Sequence, residues 1–443
     1  MSDLIFGTDG IRGPVGQYPL DPGSILKIGA AAARVLGKKC GKVIIAKDTR
    51  VSGYIFESIL EGALLSAGLD VYLTGPITTP ALSYYTNRYD FDFGVMISAS
   101  HNSYHDNGIK FFNSEGHKLD VEIERAISDA FYKNDFQFLD ADSVGKAKRL
   151  PIGINNYIDY CISKFPEHFL SGFKLVLDAS HGAGFKSAPR IFAGLGADVL
   201  PVGCSPNGYN INDRCGSTSP GLVAQLVKNG DYQVGVAIDG DGDRVVLTDE
   251  EGIIIDGDKL IYILAKHYKD KGTLDSPIAI TVTSNLGLKK SLQKLGITVI
   301  ETDVGDKNVS SALRSSGGFL GGETSGHIIN LNYNETGDGT LAALQVLLVM
   351  RETNKTLKEL ASELMLIPSK SLNIEIDLAK RHSIENFCHK FTQNKNNELH
   401  GQGRLLARLS GTEPIARILI ECEDLEIQDR FADEFIGQLG KLK

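Results

Sequence analysis

Met96-Ile-Ser-Ala-Ser-His-Asn-Ser-Tyr-His-Asp-Asn-Gly-Ile-Lys-Phe-Phe112 reads as a buried strand that delivers Ser100 into a polar loop, with His101 and Lys110 close by. Strand 93–98 ends a series that alternates strand and helix: strand 42–46 running into Asp48-Thr-Arg50, helix 54–67, strand 70–73 and helix 80–89. The alternation restarts at strand 174–177, with helix 185–195 and strand Val234–Ile238. It restarts again at strand 277–282, with helix 286–295, strand 297–302 and a turn into 319–322. Three such series predict three similar α/β domains with mixed, largely parallel sheets. Strand 371–376, a helix around 383–391, strands 404–408 and 417–421 and a last helix from about Leu425 predict a C-terminal α+β domain. Seams at 145–148, 249–256 and 367–370 divide the chain into 1–148, 149–254, 255–368 and 369–443.

A length of 443 residues calls for several hydrophobic cores rather than one. The net charge of −9 argues against a nucleic-acid partner, which would require a basic face. Six scattered cysteines without a Cys-x-x-Cys pair read as reduced thiols, neither a disulfide framework nor a zinc site. No run reaches the length of about 18 apolar residues that a membrane span needs, and no secretory leader is legible, so a cytoplasmic location is expected.

Three further loops carry chemistry. Asp239-Gly-Asp-Gly-Asp243 sets three carboxylates at alternate positions, a hard-oxygen cage suited to Mg²⁺ that leaves coordination sites for phosphate oxygen. An EF-hand reading fails, because Arg244 stands where that loop requires glycine and both flanks read as strands. Arg244 adjoins the cage and could hold a phosphate bridging to the metal. Gly321-Gly-Glu-Thr-Ser-Gly-His327 packs Glu323, Ser325 and His327 into a glycine-flanked turn, and an ionised Glu accepting from vicinal hydroxyls suits a sugar. An ordinary polar turn explains that loop equally well on its own. Arg408-Leu-Ser-Gly-Thr-Glu-Pro414 with Arg417 offers guanidinium groups, the hydroxyls of Ser410 and Thr412 and a flexible backbone at Gly411, which suits a phosphate dianion.

Ser100 alone is a weak nucleophile. Adjacent Ser100 and His101 on extended backbone would point to opposite sides and form no triad, and a Gly-x-Ser-x-Gly elbow is absent from this loop. A serine that carries phosphate beside a metal makes better sense, with Lys110 or His101 as acid, base or electrostatic partner. Ala179-Ser-His181 repeats the letters of 99–101 and opens the Gly-rich turn Gly182-Ala-Gly184; it reads as structural. The Ser100, Asp239 and Glu323 loops each follow the C-terminal end of a predicted strand, where α/β sheets bind ligands.

Together with Gly7-Thr-Asp-Gly-Ile-Arg-Gly13, these loops resemble the α-D-phosphohexomutase superfamily along the whole chain, and look most like its bacterial phosphoglucosamine mutases. Pro206-Asn-Gly-Tyr-Asn-Ile-Asn212, Val304-Gly-Asp306 and Thr336-Gly-Asp-Gly-Thr340 are further family-like pieces. The resemblance implies four domains around a central cleft, with Ser100 as phosphoserine and Asp239, Asp241 and Asp243 holding one Mg²⁺, to which the Ser100 phosphate also binds. It implies Arg12, His101 and Lys110 in the catalytic set. Arg244, Glu323, Ser325 and His327 would face the sugar phosphate, and Arg408, Ser410, Gly411, Thr412 and Arg417 would hold its phosphate. The implied reaction interconverts glucosamine 6-phosphate and glucosamine 1-phosphate, feeding UDP-N-acetylglucosamine synthesis. Glucosamine or glucose 1,6-bisphosphate would be the activator, and the chain a monomer or homodimer. A phosphomannomutase or phosphoglucomutase, and a non-catalytic sugar-phosphate binder, are the alternatives. Two departures stand out: Ser103 where the family usually has Pro, and Lys307-Asn308 where it usually has Arg-Tyr.

Overall fold

The structure, a computed structural model, describes residues 4–134, 136, 138–150, 153–410 and 414–442. Its first sheet has six strands in the order Ile11–Pro14, Asp106–Asn113, Phe93–Ile97, Lys42–Lys47, Asp70–Pro76 and Ala147–Arg149. The central strands pair in parallel, and Asp106–Asn113 runs antiparallel to both neighbours. Phe93–Ile97 and Val234–Ile238 are buried at every position, as expected for parallel strands covered on both faces. The second sheet contains Ile254–Ile255, Val245–Thr248, Val234–Ile238, Lys174–Asp178 and Asp198–Val202. The third contains Val299–Thr302, Ile278–Thr281, Leu320–Gly322 and Ile328–Asn330. A fourth, antiparallel sheet of Ser369–Glu375, Ile415–Cys422 and Gly403–Leu409 is backed by helices Arg381–Leu399 and Leu425–Gly440. The fold is thus three α/β units with mixed sheets and a C-terminal α+β unit.

Strand Ala147–Arg149 belongs to the first sheet and strand Ile254–Ile255 to the second, so each sheet reaches one residue past the seam expected at 148 or 254. Strand Ile11–Pro14 and helices Pro22–Leu36 and Val121–Lys133 complete the first unit beyond the alternation read from sequence. Helix Pro22–Leu36 starts where Asp21 accepts from the Ser24 backbone N–H and Pro22 opens the first turn.

One hydrophobic core runs without a break from Ile44 and Met96 of the first unit through Phe192 and Val236 of the second to Leu344 and Leu364 of the third. The other face of the first sheet has its own core around Ile28, Phe56 and Phe93. The fourth unit packs a separate core around Phe391, Ile420 and Phe431. It joins the third through polar contacts: the Leu286 N–H donates to Glu421 Oε1 at 3.2 Å, and Arg404 Nη2 donates to the Ser284 carbonyl at 2.7 Å.

Candidate active site

The three α/β units repeat one device. An inner strand runs into a short loop and returns as an antiparallel strand: Phe93–Ile97 to Asp106–Asn113, Val234–Ile238 to Val245–Thr248, and Leu320–Gly322 to Ile328–Asn330. These loops carry Ser100, the three aspartates and Glu323. Ser100 Oγ donates to Asp239 Oδ2 at 2.5 Å, closing 139 residues of chain. The backbone at Ser100 is left-handed, with φ +50°, and therefore not extended. That conformation overturns the expectation that Ser100 and His101 point apart, because it brings Oγ within 3.5 Å of His101 Nδ1. Left-handed backbone is unfavourable for a residue with a Cβ, so the surroundings must impose it.

Asp239, Asp241 and Asp243 are buried, and one oxygen from each lies within 4.8 Å of the others. Burial, then the charges of Asp243 and Asp241, pushes the Asp239 carboxyl well above its ordinary range. Asp241 Oδ1 and Asp243 Oδ1 are buried without a hydrogen-bond donor. Crowded carboxylate oxygens with unused lone pairs fit a hard divalent cation. Lys110 reaches from the returning strand beneath the cage, 2.7 Å from Asp241 and 3.5 Å from Asp243. Burial works against its charge, but Asp241, Asp9 and Asp243 outweigh it and the ammonium is held above its usual value. Thr79 Oγ1 donates to Asp241 at 2.6 Å, a contact for which the sequence held no signal.

A second charged cluster lies behind the loops. Lys118 Nζ bridges Asp9 at 2.6 Å and Asp306 at 2.5 Å, joining the first unit to the third. His327 is buried between Asp306 at 3.2 Å and Asp243 at 3.6 Å, so it stands behind the metal loop and not on the cleft wall, against its expected place beside the sugar. Gly337 passes directly over the His327 ring, where a Cβ would come within 2.2 Å. Lys307 turns away to Glu124 at 2.9 Å, and Asn308 donates to the Val304 carbonyl at 3.1 Å; only Val304 of this segment reaches the cleft.

Above the serine opens a cleft of about 1130 Å³ lined by all four units: Arg12, His101, Arg244, Glu323, Ser325, Arg408 and Arg417 among others. Burial, then Arg244 and Arg12, lowers the His101 imidazole to about 4. Glu323 accepts from the Gly305 N–H at 3.1 Å and is raised by burial and then by Asp306. Arg408 and Arg417 face each other in register across adjacent strands, and burial, then Arg417, lowers Arg408. Two cations opposed on one sheet face repel unless an anion lies between them. Ser410 is buried at the end of its strand, its N–H donating to the Ile415 carbonyl at 2.9 Å. Gly411 and Thr412 lie outside the described residues.

Four family models match the chain in order: phosphoglucomutase/phosphomannomutase alpha/beta/alpha domain I over residues 3–138, domain II over 155–252, domain III over 256–366 and the C-terminal domain over 342–438. The series defines the class of enzyme, a phosphohexomutase. The chain is 45% identical to phosphoglucosamine mutase 1 of Shewanella amazonensis over 430 residues, covering 97% of this chain and 96% of that one. It is 42% identical to the phosphoglucosamine mutase of Haemophilus ducreyi over 437 residues, covering 98% of each. The chain belongs to the α-D-phosphohexomutase family, with phosphoglucosamine mutases as near relatives. In fold it is similar to a phosphoglucomutase/phosphomannomutase family protein of Burkholderia thailandensis, with TM-score 0.83 at 22% identity over 100% of this chain and 98% of that one. It is also similar to Aspergillus fumigatus N-acetylphosphoglucosamine mutase in complex with GlcNAc-6P and magnesium, with TM-score 0.66 at 16% identity over 99% and 95%.

Proposed function

We propose that this chain interconverts glucosamine 6-phosphate and glucosamine 1-phosphate through phosphorylated Ser100 and a bisphosphorylated sugar. The names of its relatives support the sugar, and one observation carries the chemistry: Ser100 Oγ stands 2.5 Å from a buried aspartate cage, beneath a cleft walled by an opposed arginine pair. The Arg408–Arg417 pair grips the phosphate that is not reacting. Glu323 and Ser325 accept and donate to sugar hydroxyls. Phosphorylated Ser100 passes its phosphoryl group to O1; the P–Oγ bond breaks as the P–O1 bond forms, and the O1 proton passes by way of His101, which lines the cleft beside Oγ, to the departing Oγ. After the bisphosphate turns around, the P–O6 bond breaks as a P–Oγ bond forms, the Oγ proton passes by way of His101 to O6, and glucosamine 1-phosphate departs. Arg12 and Arg244 face the transferring group, while Lys110 acts from below as a fixed charge. Asp239, Asp241 and Asp243 would hold Mg²⁺, which when bound neutralises charge on the phosphoryl oxygens. Glucosamine or glucose 1,6-bisphosphate would load the serine.

Steady-state kinetics on glucosamine, glucose and mannose 6-phosphates, with glucose 1,6-bisphosphate present, test this reading. The highest kcat/KM is expected with glucosamine 6-phosphate. A higher value with either of the other sugars replaces the sugar assignment and leaves the chemistry standing.

A further inference from the structure

Arg50 ends the strand–turn read from sequence as Asp48-Thr-Arg50, and its side chain is fully buried. Nε is paired with Asp48 Oδ2 at 2.8 Å, and the two terminal nitrogens donate to the carbonyls of Ser100 (3.0 Å), Asn102 (2.8 Å), Asp106 (3.1 Å) and Ser103. Asn212, from the second unit, approaches the same loop from the other side. Its Nδ2 donates to the Ser100 carbonyl at 2.8 Å and to the Asn102 carbonyl at 2.9 Å. Both residues are tied to the second Ala-Ser-His turn. The Asn212 N–H donates to the Ser180 carbonyl at 2.9 Å, and Thr49 Oγ1, next to Arg50, donates to the His181 carbonyl at 2.6 Å. Ser180, like Ser100, is left-handed, with φ +53°, while His181, unlike His101, is left-handed too, with φ +51°, so the silent turn repeats the backbone of the reactive one at its serine.

We propose that Arg50 and Asn212 are positioning residues that clamp the Ser100 loop in its left-handed form, with the Ala179–His181 turn as their anchor. A relaxed Ser100 would swing Oγ away from Asp239, and the clamp prevents this while the sugar intermediate turns over. It also supplies the loop rigidity that a proline at position 103 would otherwise give. Neither side chain lines the cleft, so neither should contribute to sugar affinity.

The inference rests on the mutase reading, and the parent enzyme's turnover of hexose phosphates tests that reading separately. Asn212→Ala, Arg50→Lys and the double variant are compared with the parent for kcat, KM for glucosamine 6-phosphate, thermal midpoint and circular dichroism. Each folded variant is expected to lose about 10- to 100-fold in kcat, with KM within about twofold, as small misplacements of a reacting group do. Because both residues hold the same carbonyls, the double variant should lose less than the product of the single effects. Should Arg50→Lys not fold, Asn212→Ala, which removes two donors from a half-buried side chain, decides alone. A folded Asn212→Ala enzyme with parental kcat, or one that loses only KM, overturns the clamp.

Discussion

Ser100 combines a strained backbone with full burial, and both follow from neighbours remote in sequence. Ser100→Ala keeps the Cβ and removes only the hydroxyl. It is expected to abolish turnover in a coupled glucosamine 1-phosphate assay while circular dichroism stays unchanged; retained turnover would sink the phosphoserine mechanism. The residue stood out early because three other loops shared its chemistry, yet its conformation was not legible. Serine rarely adopts positive φ, and the groups that impose it, Arg50 and Asn212, lie 50 and 112 positions away. A second residue, Asp258, ties stability to pH. Burial, then Asp256, raises its carboxyl to about 7, and it accepts from the Asn285 N–H at 2.7 Å. Between the ordinary carboxylate range and pH 7 the folded state therefore holds a proton that the unfolded chain has released, and stability falls as pH rises through that window. At about 1.4 kcal/mol for each pH unit crossed, the change amounts to a few kcal/mol. Asp258→Asn should flatten the thermal midpoint across this range; an unchanged slope would place the charge elsewhere.

At the scale of elements, the recurring unit is a buried strand, a loop and an antiparallel return. Strand ends marked the three loops in advance because β-branched runs stopped at Gly- and Asp-rich turns, a local signal. The position of Arg12 was less accessible. Strand Ile11–Pro14 pairs with Asp106–Asn113 in a register that sets Arg12 opposite Gly108, and no local pattern encodes a pairing across that distance. The same limit misplaced His327, whose glycine-flanked turn suggested a ligand contact until its packing between Asp243 and Asp306 was seen. Two outcomes belong to this scale. Asp239→Asn removes one of three crowded buried charges, so in chelator it should melt a few degrees above the parent and lose most of the stabilisation that added Mg²⁺ gives. An equal Mg²⁺ response in both proteins would rule out the cage as the metal site. Arg417→Met, in the opposed arginine pair, should raise KM for glucosamine 6-phosphate at least about tenfold, the scale of one lost charge-assisted contact, with a smaller change in kcat. An unchanged KM would move the phosphate grip away from this hairpin.

The whole molecule gathers four units about one cleft, an arrangement that the family resemblance implied and that the strand-end positions of the Ser100, Asp239 and Glu323 loops made plausible without showing it. What the motifs could not convey is how the units are bound to one another. Lys118, Asp306, His327 and Asp243 weld the first three at their polar centre, and a continuous apolar core joins them elsewhere. The fourth unit has a core of its own and meets the third through hydrogen bonds such as Leu286 N–H to Glu421 and Arg404 to the Ser284 carbonyl. Its unfolding need not disturb the rest, so calorimetry should resolve a minor early transition from a major later one, whereas a single transition would show tighter coupling. The uneven division of cores has a further meaning under heat stress. A molecule warmed past the first transition would keep its serine and its metal cage in order yet could no longer retain a hexose phosphate. Damage would register first as lost affinity, and on cooling the catalytic centre would be waiting, already built.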